Sequence, residues 1–156
     1  MKRNLIGIVV LLLAVFMIGL PSMAKKKVPK SQLRSFSYLR GGGMRIESHD
    51  EVSLWRHDDG KLTLTLSGTC PFEKVTFDVG EDVFMRCDSI IKATRLYESK
   101  GDYKSSMIVY DAPSTSFGVW YMDSKENFSG SGNMPNKIWD GLRAVVDYLK
   151  SLRNGR

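Results

Sequence analysis

Apolar and polar residues alternate along several short stretches between residues 33 and 79, and this period is typical of β-strands. The clearest unit is a hairpin from Glu51 to Ser67, in which Asp59-Gly60 joins two alternating halves. This residue pair tolerates the positive φ angles of a type I′ turn. The second half alternates Leu with Thr, which predicts a strand with one dry face and one wet face. Further strands are predicted over 33–39, 44–48 and 75–79.

The pattern changes twice to the three- and four-residue steps of an amphipathic helix. The first helix is predicted over 81–100, with Gly101 as its stop signal. The last is predicted over 138–152, after Pro135 in its first turn. Strands are predicted between the helices at 106–111, 116–123 and 127–130. Strands that both precede and follow a helix predict an α+β fold, an antiparallel sheet of about six to seven strands with two packed helices.

Several of the predicted strands carry large apolar side chains on both faces. Trp55 opposes Leu54, and Trp120 stands beside Tyr121. If helices cover both faces of the sheet, or if the sheet curls around its own core, these aromatic residues are packing residues. If one face is uncovered, an exposed aromatic patch marks a binding site. Trp55, Trp120 and Tyr121 are therefore the candidate ligand-binding residues.

The first 24 residues have the order of a secretory signal peptide. A basic start precedes an apolar run of 16 residues, Leu5–Leu20, and the small residues Ser22 and Ala24 then precede the expected cleavage site. The run is shorter than the roughly 20 residues of a membrane-spanning helix, although the lysines that follow it are typical of an uncleaved anchor. We expect export to the periplasm or the cell surface, with mature protein beginning at Lys25. The predicted organisation is a signal peptide (1–24), a basic linker (25–32) and a single domain (33–156).

The basic residues are concentrated before the domain. Of 23 Lys and Arg, six lie within the first 30 residues, and the other 17 match the 17 Asp and Glu in number. A nucleic-acid-binding domain concentrates its positive charge on the folded surface, so no nucleic-acid partner is expected. Contact with the membrane is expected only through the signal peptide before cleavage.

Cysteine and histidine give no catalytic motif. Cys70 and Cys87 are either a disulfide, which an oxidising compartment favours, or two separate buried thiols. His49 and His57 each stand beside acidic residues, but they lack the spacing of a known zinc motif. The sequence therefore predicts no catalytic residue, no metal site and no cofactor.

The C-terminal third resembles small exported domains of unknown function from Bacteroidetes-type Gram-negative bacteria. The resemblance rests on Trp120, on Gly132-Asn133-x-Pro135, and on Trp139-x-x-Leu142 leading into a terminal amphipathic helix. It implies an envelope location and a sheet followed by a helix, and it implies no activity.

Three hypotheses follow from these observations. The first is an exported, non-catalytic binding domain of the cell envelope, with a protein or a glycan as its ligand. The second is a small hydrolase or metal-dependent enzyme centred on His49 and His57. The third is a structural component of the envelope.

Overall fold

The structure, a computed structural model, describes residues 26–41, 49–68, 74–104 and 114–153. Within these ranges the chain forms seven strands and two α-helices. Single turns of 3₁₀ helix occupy 96–98 and 124–126. The elements are β1 (Leu33–Gly41), β2 (Asp50–Arg56), β3 (Leu62–Ser67), β4 (Val75–Asp78), α1 (Glu81–Ala93), β5 (Gly101–Tyr103), β6 (Ser114–Tyr121), β7 (Phe128–Gly132) and α2 (Asn136–Ser151). The predicted α+β fold is confirmed.

The seven strands form a single sheet in the order β4-β3-β2-β1-β6-β7-β5. All neighbouring strands are antiparallel except β5 and β7, which run parallel. The predicted hairpin is the β2–β3 pair, but its turn differs from the prediction. The amide of Gly60 donates to the carbonyl of His57 (3.0 Å), and Gly60 has a φ of 85° while Asp59 does not share this left-handed conformation. A type I′ turn needs positive φ at both central residues, so this loop is a type I turn followed by a left-handed glycine.

Both helices pack on the same face of the sheet. They contact each other, and their apolar residues share one core with alternate residues of the central strands. Hydrophobic burial on this face is the main source of stability. The strand residues of this face are Phe36, Tyr38, Val52, Leu54, Leu64, Leu66, Phe117, Val119 and Tyr121.

Helix α1 ends earlier than its apolar pattern predicts. The Thr94 hydroxyl donates to the carbonyl of Ile90 (2.8 Å), and Arg95 adopts a left-handed conformation with a φ of 58°. This turn redirects the chain, so that Leu96 and Tyr97 enter the core from a 3₁₀ turn instead of from the helix. Gly101, the predicted stop signal, begins β5 with a φ of 92°.

The segment before β1 is attached to the domain. The amides of Lys30 and Ser31 each donate to the Glu126 carboxylate (2.8 Å), and the Ser31 hydroxyl donates to it as well (2.7 Å). These hydrogen bonds hold the pKa of Glu126 below its usual value, and the bond from the Ser31 side chain has the largest effect. Pro29 is buried. The predicted linker therefore follows the surface of the domain from residue 26 onward.

Some predicted features lie outside the described residues, namely the signal peptide, the strands at 44–48 and 106–111, and Cys70. Among the residues that are described, no helix combines the length and the apolar character needed to cross a membrane.

Candidate functional site

The sheet face opposite the helices, called the open face below, is rich in small hydroxyl side chains. No described helix packs on it, and cross-strand partners share it because side chains alternate between the two faces of a strand. Its hydroxyl residues are Ser35, Ser37, Ser53, Thr63, Thr65, Ser67, Thr76, Ser116, Ser129 and Ser131. Each hydroxyl is both a donor and an acceptor. Ser35 and Thr63 are buried, the hydroxyls of Thr65 and Thr76 bond to each other at 2.9 Å, and that of Ser131 donates to Asp102 at 2.5 Å. The other hydroxyls of the face are the ones it presents to solvent.

Two of the three predicted binding residues lie together on the open face. Ser35 of β1 pairs with Trp55 of β2 on one side and with Trp120 of β6 on the other. The two tryptophans are thus two strands apart, which places their Cα atoms about 10 Å from each other. Trp55 is 41% exposed and Trp120 is 38% exposed. They form a pair of exposed indoles across the middle of the sheet.

The Trp120 ring lies against the strand because residue 118 is glycine. A Cβ atom built on Gly118 would lie 2.2 Å from Cη2 of Trp120, well inside any real contact distance. The six-membered part of the indole therefore covers the Gly118 backbone. The ring can occupy this position only because residue 118 has no side chain.

Ser35 lies between the two indoles and is 1% exposed. Its hydroxyl has no hydrogen-bond partner among the described residues. Leaving a buried hydroxyl without a partner costs about 1–3 kcal/mol. Ser35, Trp55 and Trp120 line one cavity of about 430 Å³, which is completed by Arg34, Tyr121, Met122, Ser124 and Asn127. An unpaired polar group at a cavity between two aromatic rings is a feature of a ligand site.

Some of the charged groups that border the open face are paired within the chain. Three cations there form ion pairs, at 3.2, 3.2 and 3.9 Å respectively: Arg34 with Asp58, Lys61 with Asp78 and Lys74 with Glu51. Surface pairs of this kind contribute little stability. Because each of these cations is paired with a carboxylate, the electrostatic field that they produce at the open face is weak. The hydroxyls and the indoles are then the groups that determine what the face can bind.

Tyr121, the third candidate, lies on the opposite side. Its ring is in the core beneath α1, and its hydroxyl donates to Asp88 at 2.8 Å. Burial, reinforced by the Asp88 carboxylate, raises the pKa of Tyr121 far above its usual value. Its side chain therefore belongs to the core, while the residue also borders the 430 Å³ cavity beside Trp120.

The two histidines lie at opposite ends of β2. His49 precedes the strand and is exposed, and His57 follows it and hydrogen-bonds to Thr63 (2.9 Å between Nε2 and Oγ1). Eight residues of extended chain separate their Cα atoms by roughly 26 Å. No group of three or more potential metal ligands occurs in the described part of the chain. The geometry thus gives no support to an enzyme in which the two histidines share a metal ion.

Cys87 lies on α1, is fully buried and forms no disulfide with another described residue. Burial raises the pKa of its thiol strongly, and the neighbouring Asp88 adds to this effect. Its predicted partner, Cys70, lies outside the described residues. The disulfide therefore stays a prediction.

A second cavity of about 240 Å³ lies between α2 and the ends of β1 and β2. Arg40, Arg143 and Lys150 line it, and Trp139 forms one wall. Lys150 is bound to Asp50 at 2.6 Å. Because the protein's own carboxylates, Asp50 and Asp147, line the same cavity, it is a weaker candidate than the open face.

Sequence reasoning found the two tryptophans but missed Ser35 and Gly118. The signal for Ser35 was present, because Ser and Thr alternate with apolar residues in β1 and β3. The signal for Gly118 was its place two residues before Trp120, on the same face of one strand.

No protein-family model matches this chain, and none of the curated proteins is significantly similar to it.

Proposed function

We propose that this protein is an exported, non-catalytic binding domain of the bacterial cell envelope, and that it binds its ligand on the open face of its sheet. The single observation that carries this proposal is the pair of exposed indoles, Trp55 and Trp120, on either side of the unpaired Ser35 hydroxyl. Exposed aromatic patches of this kind usually mark binding sites on soluble domains.

The leader sequence supports the envelope location. A binding role is supported by what the open face presents, which is two exposed indoles set among hydroxyl side chains. A purely structural component has no need for two tryptophans placed side by side on an uncovered face, where they expose apolar area to water.

Co-sedimentation with purified envelopes tests the proposal. Mature protein from Lys25 onward would be mixed with envelopes from a Bacteroidetes-type Gram-negative bacterium, and the bound fraction would be measured over a range of envelope concentrations. The test variant replaces both Trp55 and Trp120 with Ala. The matched control is Met85→Ala, because Met85 is 63% exposed but lies on α1, on the helical side of the protein.

We expect the wild type and Met85→Ala to sediment equally and the double variant to stay in solution. Circular dichroism and a thermal melt establish that the double variant is folded. If the wild type does not bind, or if the double variant binds as well as the wild type, the proposed function is wrong.

A further inference from the structure

We infer that the ligand of the open face is a neutral polysaccharide, lying across β6, β1 and β2 so that separate sugar rings stack on Trp120 and Trp55. This inference rests on the proposed function and names the chemical class of its ligand. It draws on the arrangement of the rings, the composition of the surrounding face and the charge at its border.

The two indoles suit a chain of sugar rings. The C–H bonds on one side of a pyranose carry partial positive charge, and they are attracted to the negative face of an aromatic ring. The Trp120 ring packs over the Gly118 backbone, and the opposite face of the ring is accessible to solvent. The separation of about 10 Å between the two Trp positions is longer than one sugar unit, so a short run of linked sugars spans it and the two stacked rings need not be neighbours in the chain.

The hydroxyl array favours a glycan over a protein. The cores of protein–protein interfaces are apolar and depleted in Ser, and Ser and Thr are rare among the residues that dominate protein binding energy. A second copy of this chain, stacked face to face, would bury the exposed hydroxyls of this face against one another. A glycan instead presents hydroxyls of its own and remains hydrated at the interface, so both sets of polar groups keep hydrogen-bond partners.

The charge pattern favours a neutral glycan over an acidic one. An acidic polymer is attracted by a concentration of unpaired positive charge. At this face Arg34, Lys61 and Lys74 are each paired with a carboxylate of the same chain. The Ser35 hydroxyl, which lies between the two rings, is buried and carries no charge.

Affinity electrophoresis tests this inference directly. Native gels would contain one soluble neutral polysaccharide each (dextran, mannan, xylan or a mixed-linkage β-glucan), and a pectate gel would serve as the acidic comparison. The proteins are the wild type, Trp55→Ala, Trp120→Ala, the double Phe variant (Trp55→Phe with Trp120→Phe), Ser35→Ala and the control Met85→Ala. Tryptophan fluorescence titration then gives the dissociation constant for each polysaccharide that retards the wild type.

We expect at least one neutral polysaccharide to bind. Each Trp→Ala change should weaken binding about tenfold, which corresponds to about 1.4 kcal/mol. Because the double Phe variant keeps an aromatic ring at each position, it should retain most of the affinity. This result would show that the Ala variants bind weakly because a stacking ring is missing and not because the protein is misfolded. Met85→Ala should bind like the wild type, and so should Ser35→Ala, because the Ser35 hydroxyl is buried beneath the surface that the ligand contacts.

Three results would overturn the inference: no retardation by any neutral polysaccharide, binding to pectate alone, or neutral-glycan binding that the Trp→Ala changes leave intact. If envelope binding still depends on the two tryptophans while every neutral polysaccharide fails, the ligand is a protein or an acidic polymer. In that case the proposed function stands and only the ligand class is wrong. Dimerisation that the Trp→Ala changes abolish, measured by analytical ultracentrifugation, would instead identify a second copy of the chain as the occupant.

Discussion

Replacing Gly118 with Ala should move one tryptophan ring and leave the rest of the fold in place. Gly118 has an ordinary extended conformation, so the backbone accepts Ala there. The new Cβ would lie 2.2 Å from Cη2 of Trp120, whereas ordinary van der Waals contact begins at 3.4 Å. The ring must therefore move away from the strand by more than an ångström.

The cost to stability should be small. Gly→Ala in an accepting conformation stabilises by about 0.4–1 kcal/mol, because the unfolded chain loses freedom. The ring loses part of its packing on the strand, which opposes this gain. Trp120 is 38% exposed, so space is available for the ring to move toward solvent. We expect the free energy of unfolding to change by less than about 1 kcal/mol, within the range usual for surface positions.

Fluorine NMR on protein labelled with 5-fluorotryptophan measures this displacement. The chain has three tryptophans, so the spectrum contains three resonances. In Gly118→Ala the Trp120 resonance should shift, and those of Trp55 and Trp139 should stay near their wild-type positions. Affinity for the ligand of the open face should fall about tenfold, as for loss of one stacked ring.

Gly68→Ala is the matched control, because a Cβ at Gly68 meets nothing within 4 Å. Its spectrum and its affinity should equal those of the wild type. An unchanged Trp120 resonance in Gly118→Ala would refute the placement of the ring. Unchanged affinity despite a displaced ring would refute its role in binding.

Three further changes test other parts of the structure. Ser35→Ala removes a buried hydroxyl that has no partner, so urea denaturation should show equal or greater stability, by up to about 1 kcal/mol; marked destabilisation would mean that the hydroxyl is satisfied. Tyr121→Phe tests alkaline stability: because the folded pKa of Tyr121 is raised above the ordinary 10.0, its contribution is complete below pH 10 and is lost as the pH rises further. At pH 11 the wild type should have lost about 1.4 kcal/mol more than Tyr121→Phe relative to pH 8, and equal losses would contradict the assigned burial. Gly132→Ala combines a φ of 78° with a Cβ only 2.4 Å from the Tyr103 carbonyl oxygen. It should lower the free energy of unfolding by at least about 1 kcal/mol and speed amide exchange in β5; exchange at the wild-type rate would refute the close approach of β5 and β7.

The sequence predicts most of the sheet and both helices because their patterns are local. The hairpin of β2 and β3 follows from alternation and a turn pair, and α2 follows from one apolar stripe. The predicted end of α1 was wrong because the apolar pattern continues in the sequence beyond the last helical residue. Tyr97 fits the helical period, yet it reaches the core, together with Leu96, through the left-handed turn at Arg95. Strand β5 was missed because three residues, Gly101–Tyr103, are too few for a pattern.

The site was harder to predict, since alternation identifies two faces but not which one the helices cover. Trp120 and Tyr121 are neighbours on one strand, so they must point to opposite faces. The structure places Tyr121 in the core and Trp120 outside. The Trp55–Ser35–Trp120 row is a product of strand order, which joins residues from β1, β2 and β6. The alternation of residues within a single strand does not predict which strands become neighbours in the sheet.

The central claim is that the open face is a binding surface, and the most direct measurement of it is the ratio of affinities between two variants. The apparent dissociation constant for cell envelopes would be compared between the double variant (Trp55→Ala with Trp120→Ala) and Met85→Ala. The double variant removes exposed apolar side chains from the open face, and Met85→Ala removes one from the helical side. We predict that the double variant binds at least about a hundredfold more weakly, from tenfold for each ring, while Met85→Ala matches the wild type. Equal affinities of the two variants would contradict the account.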